Sequence, residues 1–305
     1  MTKDFISITQ LNQKELNDIF SLTDQLKRNK RKFKDMLCGK TIALIFEKPS
    51  NRTRVSFEVG MDQLGGHSIY LGPDEISLGV RETIQDVAKT LSRYVQGIVL
   101  RTFSHDNILE MAKHADIPVI NGLTDLLHPC QAIADLYTIK EKMGKLKDIN
   151  LAYIGDGNNV CHSLLHSAGI TGMNLAVATP KNYEPNDNIV KEAINLAKKS
   201  GARISVLNEP KMALKDADVI YTDVWASMGQ EKEAGQRKII FKDYQVNKEM
   251  VSLAKKNCLI MHCLPAHRGE EITDEVIDSK NSIVFDQAEN RLHVQKAILI
   301  KLLNG

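Results

Sequence analysis

Short apolar runs rich in valine and isoleucine alternate along this chain with amphipathic stretches of helical length. This alternation is typical of βα units, which build parallel sheets covered by helices. The sequence therefore predicts an α/β protein with two domains, each a mostly parallel sheet flanked by helices. Strands are predicted at Thr41–Glu47, His67–Leu71, Gly97–Arg101, Ile117–Asn121, Asn150–Gly155, Asn174–Thr179, Arg203–Leu207, Val219–Val224, Cys258–Cys263 and Ser282–Phe285.

The length of 305 residues exceeds the usual size of one domain, so two domains are expected. The boundary is predicted after the lysine-rich segment 140–147, which ends a helix just before a strand. This gives domains at 1–148 and 149–289. The last helix, Leu292–Leu303, has apolar positions on all sides, so we expect residues 290–305 to pack back on the first domain.

Composition excludes several classes of protein. With 40 basic and 38 acidic residues the net charge is only +2, so neither nucleic acid nor an anionic membrane is an expected partner. No apolar run is long enough for a membrane span, and the first residues lack the apolar core of an export signal. The five cysteines are scattered, which argues against disulfides or structural zinc. A cytoplasmic location and no metal are expected.

The strongest local signal is the segment Ser50–Arg54 (SNRTR), which follows a buried strand and opens a helix. Its arginines, Arg52 and Arg54, oppose the helix macrodipole unless an anion binds there. Hydroxyls from Ser50 and Thr53, free backbone N–H groups and guanidiniums together favour a phosphate site. The alternative interpretation is a serine N-cap with solvated arginines.

Two further features of the first half indicate a ligand site. Pro129 is expected at the first position of a helix, which places His128 at the helix mouth. A neutral imidazole there can donate a hydrogen bond to a carbonyl oxygen. Arg101 ends a strand, and ligands bind at the carboxyl ends of strands in open α/β sheets. The alternatives are a plain proline-started helix and an ordinary surface arginine.

Two strand ends in the second half carry unusual polar residues. The segment Asp223–Gly229 joins an acid, the only tryptophan and a glycine, as a loop closing over a cationic amino group would. The segment His262–Pro265 places Cys263 at a strand tip, which suggests a thiol facing the interdomain cleft. The alternative is a buried core position with an inert thiol.

A glycine-containing turn, Gly155–Gly157, resembles the start of a dinucleotide fingerprint. The third glycine and the ribose-binding acid are missing, so a nicotinamide oxidoreductase is a weak alternative. His162 and His166 are one helical turn apart, but no metalloprotease glutamate lies between them. We interpret both histidines as structural.

Taken together, these segments resemble the aspartate/ornithine carbamoyltransferase family, in the expected order over essentially the whole chain. Ser50–Arg54 is similar to the family's Ser-Thr-Arg-Thr-Arg, with Asn51 in place of threonine. His128–Gln131 matches its His-Pro-Cys-Gln. Asp223–Gly229 and His262–Pro265 match segments that aspartate-specific members lack, so the resemblance implies ornithine as the acceptor.

The resemblance implies transfer of the carbamoyl group of carbamoyl phosphate to the δ-amine of L-ornithine, giving L-citrulline and phosphate, without a cofactor. It also implies a homotrimer with active sites at subunit interfaces. Among the implied ligands, Arg52, Arg101, His128, Cys263 and Arg291 would be catalytic. The implied carbamoyl phosphate ligands are Ser50, Asn51, Arg52, Thr53, Ser77, Arg101, His128, Pro129, Cys130, Gln131, Cys263, Leu264 and Arg291. The implied ornithine ligands are Asn159, Asp223, Ser227 and Met228.

One departure from the family is Ser77, which stands where many relatives have glutamine or histidine reaching a neighbouring subunit's phosphate. Another acceptor amine, such as putrescine or an acylated ornithine, is the first alternative. Asp223 and Asn159 suit a free α-amino acid and argue against it. An inactive homologue kept as a binding partner is a further alternative, which the intact polar motifs disfavour.

Overall fold

The computed structural model describes residues 2–304, and the chain divides into two compact units. Unit 1 comprises Met1–Tyr137 and Glu289–Gly305, and unit 2 comprises Thr138–Ala288. Each unit holds one parallel sheet, which confirms the predicted α/β class with two sheet domains.

Unit 1 is built on a four-stranded sheet in the order β2-β1-β3-β4, with all pairs parallel. Its strands are β1 (Thr41–Phe46), β2 (His67–Leu71), β3 (Gly97–Arg101) and β4 (Val119–Leu123). Its helices are α1 (Gln13–Arg28), α2 (Asn51–Gln63), α3 (Pro73–Ile76), α4 (Ile84–Tyr94), α5 (His105–His114) and the start of α6 (Pro129–Met143). Short 3₁₀ helices lie at Ile8–Gln10 and Lys30–Phe33. Central strands β1 and β3 are almost entirely buried, as expected for a sheet covered on both faces.

Unit 2 is built on a five-stranded parallel sheet in the order β7-β6-β5-β8-β9. The strands are β5 (Asn150–Ile154), β6 (Asn174–Ala178), β7 (Ile204–Leu207), β8 (Val219–Thr222) and β9 (Leu259–His262). The helices are α7 (Asn159–Thr171), α8 (Asp187–Ser200), α9 (Pro210–Leu214), α10 (Ala234–Ile240), α11 (Lys248–Ser252), α12 (Asp274–Ile277) and the start of α13 (Val284–Leu303). Further 3₁₀ helices lie at Glu231–Glu233 and Lys242–Tyr244.

One predicted strand is wrong. Within Ser282–Phe285, only Ser282 forms an isolated bridge, to Ile260, and α13 begins at Val284. Ile283 donates its N–H to the carbonyl of Ile260 over 3.0 Å before the chain turns into the helix. A short apolar run has the same appearance in a buried strand and in the first turn of a buried helix, so its pattern alone does not separate them.

The predicted strand Ile117–Asn121 is shifted, since β4 begins at Val119. Pro118 has no N–H to give to a ladder, which explains why regular pairing starts after it. The final helix is longer than predicted and begins at Val284. Among residues 2–304, no helix has the length and apolar character needed to cross a membrane.

Candidate active site

The turn after β1 has the predicted strand-to-helix form. Ser50 is the N-cap of α2, and its hydroxyl accepts the N–H of Thr53 over 3.3 Å. No acidic residue lies in the first turn of this helix, so its positive end is not neutralised locally. Thr53 is buried, Arg52 is half-buried and Asn51 is exposed. The turn thus combines a helix N-terminus with hydroxyl and guanidinium donors, which is the composition of an anion site.

Arg291 of α13 reaches the same turn. Its guanidinium is buried and donates from Nη2 to the hydroxyl of Thr53 over 3.2 Å. A second bond runs from Nη1 to the side-chain oxygen of Gln131 on α6. These two bonds fix the orientation of a buried guanidinium beside the first turn of α2, and a guanidinium is a donor group that suits an anion.

His128 is buried at the start of α6, directly before Pro129. Burial, followed by the positive charges of Arg291, Arg101 and Arg52, holds the pKa of His128 well below its ordinary value. The neutral imidazole predicted from the sequence is therefore supported, and its causes are burial and neighbouring guanidiniums. A neutral ring at this position can donate a hydrogen bond without adding a further positive charge.

Gln131 has its amide orientation defined by partners on both sides. Its Nε2 donates to the buried carboxylate of Asp135 over 2.7 Å, and its Oε1 accepts from Arg291. Cys130 lies between His128 and Gln131 in the sequence. Its thiol donates to the carbonyl of Asn121, and burial raises the pKa of this thiol to about 12. Cys130 is therefore an inert thiol packed inside unit 1.

Arg101 ends β3 and is buried, with Nε donating to the carbonyl of Lys48 over 3.2 Å. Ser77 is placed differently, because its hydroxyl and its N–H both bond to the carbonyl of Pro73, within its own turn. The charges of Arg291, Arg101 and Arg52 thus act on His128 in addition to its burial, whereas Ser77 bonds within its own turn.

In unit 2, the ends of two neighbouring strands meet at Asp223 and Cys263. The thiol of Cys263 donates to Asp223 Oδ1 over 2.9 Å, and Asn158 Nδ2 donates to Asp223 Oδ2 over 2.8 Å. Asp223 is buried, whereas Cys263 is partly accessible. The result is a fixed carboxylate, suited to an ammonium group, beside an accessible thiol.

Asn158 was missed by the sequence reasoning, which singled out Asn159 alone. Asn158 caps α7, with its Oδ1 accepting from Val160 and Cys161, while its Nδ2 holds Asp223. A signal was present, since asparagine is a preferred N-cap after a strand. Its second role depends on Asp223, 65 positions away, which no local pattern reveals.

The other proposed ornithine ligands also belong to unit 2. Asn159 is the first residue of α7 and is half-buried. Ser227 is half-buried and Met228 is 42% exposed, in the loop after β8. The backbone N–H of Ser227 donates to the side chain of Gln230 over 3.0 Å, which shapes the loop locally.

Three side chains of unit 2 have the chemistry of metal ligands. In residues 2–304, atoms of Asp223, His262 and Cys263 lie within 4.8 Å of one another. Both ring nitrogens of His262 are engaged, by Leu264 N–H and by Glu271, and Cys263 donates to Asp223. A metal ion would have to break these bonds.

The turn Gly155–Gly157 differs physically from a dinucleotide site. The N–H of Gly157 donates to the carbonyl of Tyr183, and an added Cβ would lie 2.3 Å from the nitrogen of Pro185. Residues 183–185 therefore pack directly against Gly157, where the fingerprint needs the backbone to be open to a pyrophosphate. His162 accepts the N–H of Asn186, and His166 contacts Glu192 over 3.0 Å, consistent with structural roles.

Two family models match most of this chain. Residues 3–141 match the model described as "Aspartate/ornithine carbamoyltransferase, carbamoyl-P binding domain". Residues 147–302 match "Aspartate/ornithine carbamoyltransferase, Asp/Orn binding domain". The chain belongs to the aspartate/ornithine carbamoyltransferase family and is an enzyme of the carbamoyltransferase class.

Similar proteins of this family are named ornithine carbamoyltransferase. The chain is 54% identical over 304 residues to "Ornithine carbamoyltransferase" of Bacillus thuringiensis subsp. konkukian (strain 97-27), covering 100% of this chain and 95% of the relative. Identity to the protein of that name from Archaeoglobus fulgidus is 54% over 303 residues, covering 99% and 97%. The solved ornithine carbamoyltransferase from Pyrococcus furiosus is 51% identical, with a TM-score of 0.96 over 99% of this chain and 97% of that one.

Proposed function

We propose that this enzyme transfers the carbamoyl group of carbamoyl phosphate to the δ-amine of L-ornithine, producing L-citrulline and phosphate. The observation that carries the proposal is the set of buried donors in unit 1: Arg291 bonds to Thr53 and Gln131, and His128 is held neutral by burial and by the charges of Arg291, Arg101 and Arg52. Such a cluster stabilises the negative charge of a leaving phosphate, while neutral His128 donates to the carbamoyl oxygen. The similarity to relatives named ornithine carbamoyltransferase supports the acceptor.

The reaction needs no covalent enzyme intermediate. The neutral δ-amine attacks the carbamoyl carbon, and the C–N bond forms as the bond from that carbon to the phosphate oxygen breaks. The proton that the amine loses passes to the leaving phosphate, so the products are L-citrulline and hydrogen phosphate. Ser50, Asn51, Arg52 and Thr53 would bind the phosphate, and Arg101, His128 and Gln131 the carbamoyl end. Catalysis then consists of positioning and electrostatic stabilisation.

The acceptor is held by unit 2 in this proposal. Asn159, Ser227 and the backbone of Met228 would bind the α-carboxylate and α-amino groups, leaving the δ-amine free. Cys263, hydrogen-bonded to Asp223, would orient that amine, and Leu264 would meet the carbamoyl group. The buried carboxylate of Asp223 fits a cationic α-amino group, which favours free over acylated ornithine, and Asn159 as a ligand of the α-carboxylate favours ornithine over putrescine.

The deciding experiment measures citrulline formed from carbamoyl phosphate and L-ornithine, with aspartate, putrescine and N-acetylornithine as parallel acceptors at equal concentration. We expect a kcat/KM for ornithine at least about a hundredfold above each other amine, since a missing hydrogen-bonding group leaves buried polar groups unpaired. An equal rate with putrescine would contradict the proposed acceptor.

The proposal also covers the oligomeric state, the cellular location and the metabolic role of the enzyme. A homotrimer in the cytoplasm is proposed, serving arginine biosynthesis or, in reverse, arginine catabolism. Exposed apolar side chains of unit 1 support a subunit contact, among them Val55 at 47%, Ile69 at 44% and Val80 at 89% exposure. Sedimentation equilibrium tests this directly, because a monomer at micromolar concentration would contradict it.

A further inference from the structure

His262 is the last residue of β9, and its ring is fully buried. Its Nδ1 lies 2.8 Å from the backbone nitrogen of Leu264, two residues later. A backbone N–H is only a donor, so Nδ1 must act as the acceptor and carries no proton. The ring proton of His262 therefore resides on Nε2.

Glu271 lies on the other side of the ring and is also fully buried. Its Oε1 is 3.0 Å from His262 Nε2 and also accepts the N–H of His267 over 2.6 Å. A carboxylate at this position is an acceptor for the Nε2 proton, which fixes the tautomer that the Leu264 bond requires. The second oxygen of Glu271 is buried and has no hydrogen-bond partner, an arrangement that disfavours folding.

Leu264 needs support because its backbone is strained. Its φ is +59°, in the left-handed region that a leucine rarely adopts. Conformations of this kind persist only where neighbouring groups determine them, and they cluster at functional sites. The bond from Leu264 N–H to His262 is the direct restraint on this residue, and Cys263 lies between the two.

We propose that His262 and Glu271 form a positioning pair: Glu271 fixes the Nε2-protonated tautomer of His262, and His262 holds Leu264 and Cys263 in the geometry used for carbamoyl transfer. Neither member of the pair is a catalytic residue. The inference rests on the proposed function, in which Cys263 and Leu264 meet the reacting groups. The same logic applies where an acceptor carboxylate holds the histidine of a serine protease in its working tautomer.

Two substitutions at one position separate the roles of the ring nitrogens. In His262→Asn, the side-chain oxygen lies near the former Nδ1 and can still accept from Leu264. In His262→Gln, the longer amide can still reach Glu271, but Leu264 N–H loses its acceptor. Loss of one hydrogen bond of ordinary strength corresponds to about tenfold, so we expect kcat of the Gln variant to be about tenfold below that of the Asn variant.

The control readouts are affinity for inorganic phosphate and the urea unfolding midpoint. Phosphate affinity should be unchanged in both variants, since its proposed ligands lie in unit 1. Equal kcat in the two variants, or a difference that only follows their unfolded fractions, would overturn the proposal.

The tautomer itself is measured on the whole enzyme by ¹⁵N NMR of histidine-labelled protein, with the His262 ring assigned by its loss in His262→Asn. We expect a single Nε2-protonated form, and a mixture of tautomers in Glu271→Gln, whose amide can also donate to the ring. A wild-type ring protonated at Nδ1 would refute the pair. This readout does not depend on turnover, so it remains decisive if the enzyme proves inactive toward ornithine.

Discussion

Arg291 and Thr53 are 238 positions apart in the chain, and the guanidinium Nη2 of Arg291 donates to the hydroxyl of Thr53 over 3.2 Å. The same guanidinium bonds to Gln131 on α6. One residue of the last helix thus fixes side chains in the first turns of two other helices. This matters for function because the three residues are proposed ligands of one substrate.

Replacing Arg291 with lysine tests this geometry while keeping the charge. Lysine has a point charge instead of a planar fork, so it does not satisfy Thr53 and Gln131 together. We expect kcat/KM for carbamoyl phosphate to fall by about 10²-fold or more. Arg268→Lys is the matched control, since Arg268 is an exposed arginine paired with Asp274 and Asp278. Comparable losses in both variants would argue against a special role for Arg291.

Replacing Arg52 with alanine tests the phosphate assignment. Arg52 acts electrostatically on His128, whereas Arg54, in the same helical turn, bonds to Glu58 and stacks over Tyr70. We expect Arg52→Ala to lower kcat by about a thousandfold with little change in the unfolding midpoint. Arg54→Ala removes the same charge from the same turn and should leave kcat within about threefold. Near-normal turnover of the Arg52 variant would refute phosphate binding by this turn.

The bond from Cys263 to Asp223 predicts an order of activity among thiol replacements. A serine hydroxyl can still donate to Asp223, whereas alanine cannot. We expect kcat/KM for ornithine to decrease from wild type to Cys263→Ser to Cys263→Ala, with the last about tenfold below the serine variant. Cys38→Ser, at an exposed cysteine, is the control and should match wild type. The reverse order of the two Cys263 variants would contradict the orienting role.

Asp156 predicts a pH dependence of stability in unit 2. It is buried and paired with Arg237 over 3.2 Å. Burial raises its pKa from 3.8 to about 6, against the opposing effect of Arg237. Because the folded state holds this proton more tightly than the unfolded state, the contribution to stability is full below about pH 4. It is lost as pH rises through about 6.

The measurement compares urea unfolding of wild type and Asp156→Asn between about pH 4 and pH 7. The free energy of unfolding of wild type relative to the variant should fall by up to about 3 kcal/mol over this range, the value of about two pKa units. A difference that is independent of pH would show that Asp156 titrates normally.

Much of the fold and of the turn Ser50–Arg54 could be predicted, because apolar periodicity and helix caps are local features of the sequence. The Val- and Ile-rich runs form strands. Ser50 is the N-cap of α2, and Arg52 lies in the first turn of that helix. The strand predicted at Ser282–Phe285 was wrong, since a four-residue apolar run carries no period that separates strand from helix.

The remaining site features are pairings between buried or half-buried polar groups, and one of them joins residues 65 positions apart. Asn158 holds Asp223, Asp135 orients Gln131, and Glu271 fixes His262. The local sequence marks Asn158 as a helix cap but does not reveal any of these pairings, because an asparagine cap or a helix carboxylate is equally typical of the protein surface. They acquire meaning only when burial forces each polar atom to find a partner.

The sequence by itself determined the periodicity, the caps and the chemical identity of the donors, since backbone geometry and side-chain chemistry act over a few residues. Tertiary structure alone decided which of those donors share a partner. It also decided the protonation state of His128 and the tautomer of His262. Burial and then three guanidiniums lower the pKa of His128, and one carboxylate fixes the His262 tautomer. Both effects require removal of water, which strengthens the interactions between charges and makes an unpaired polar group costly.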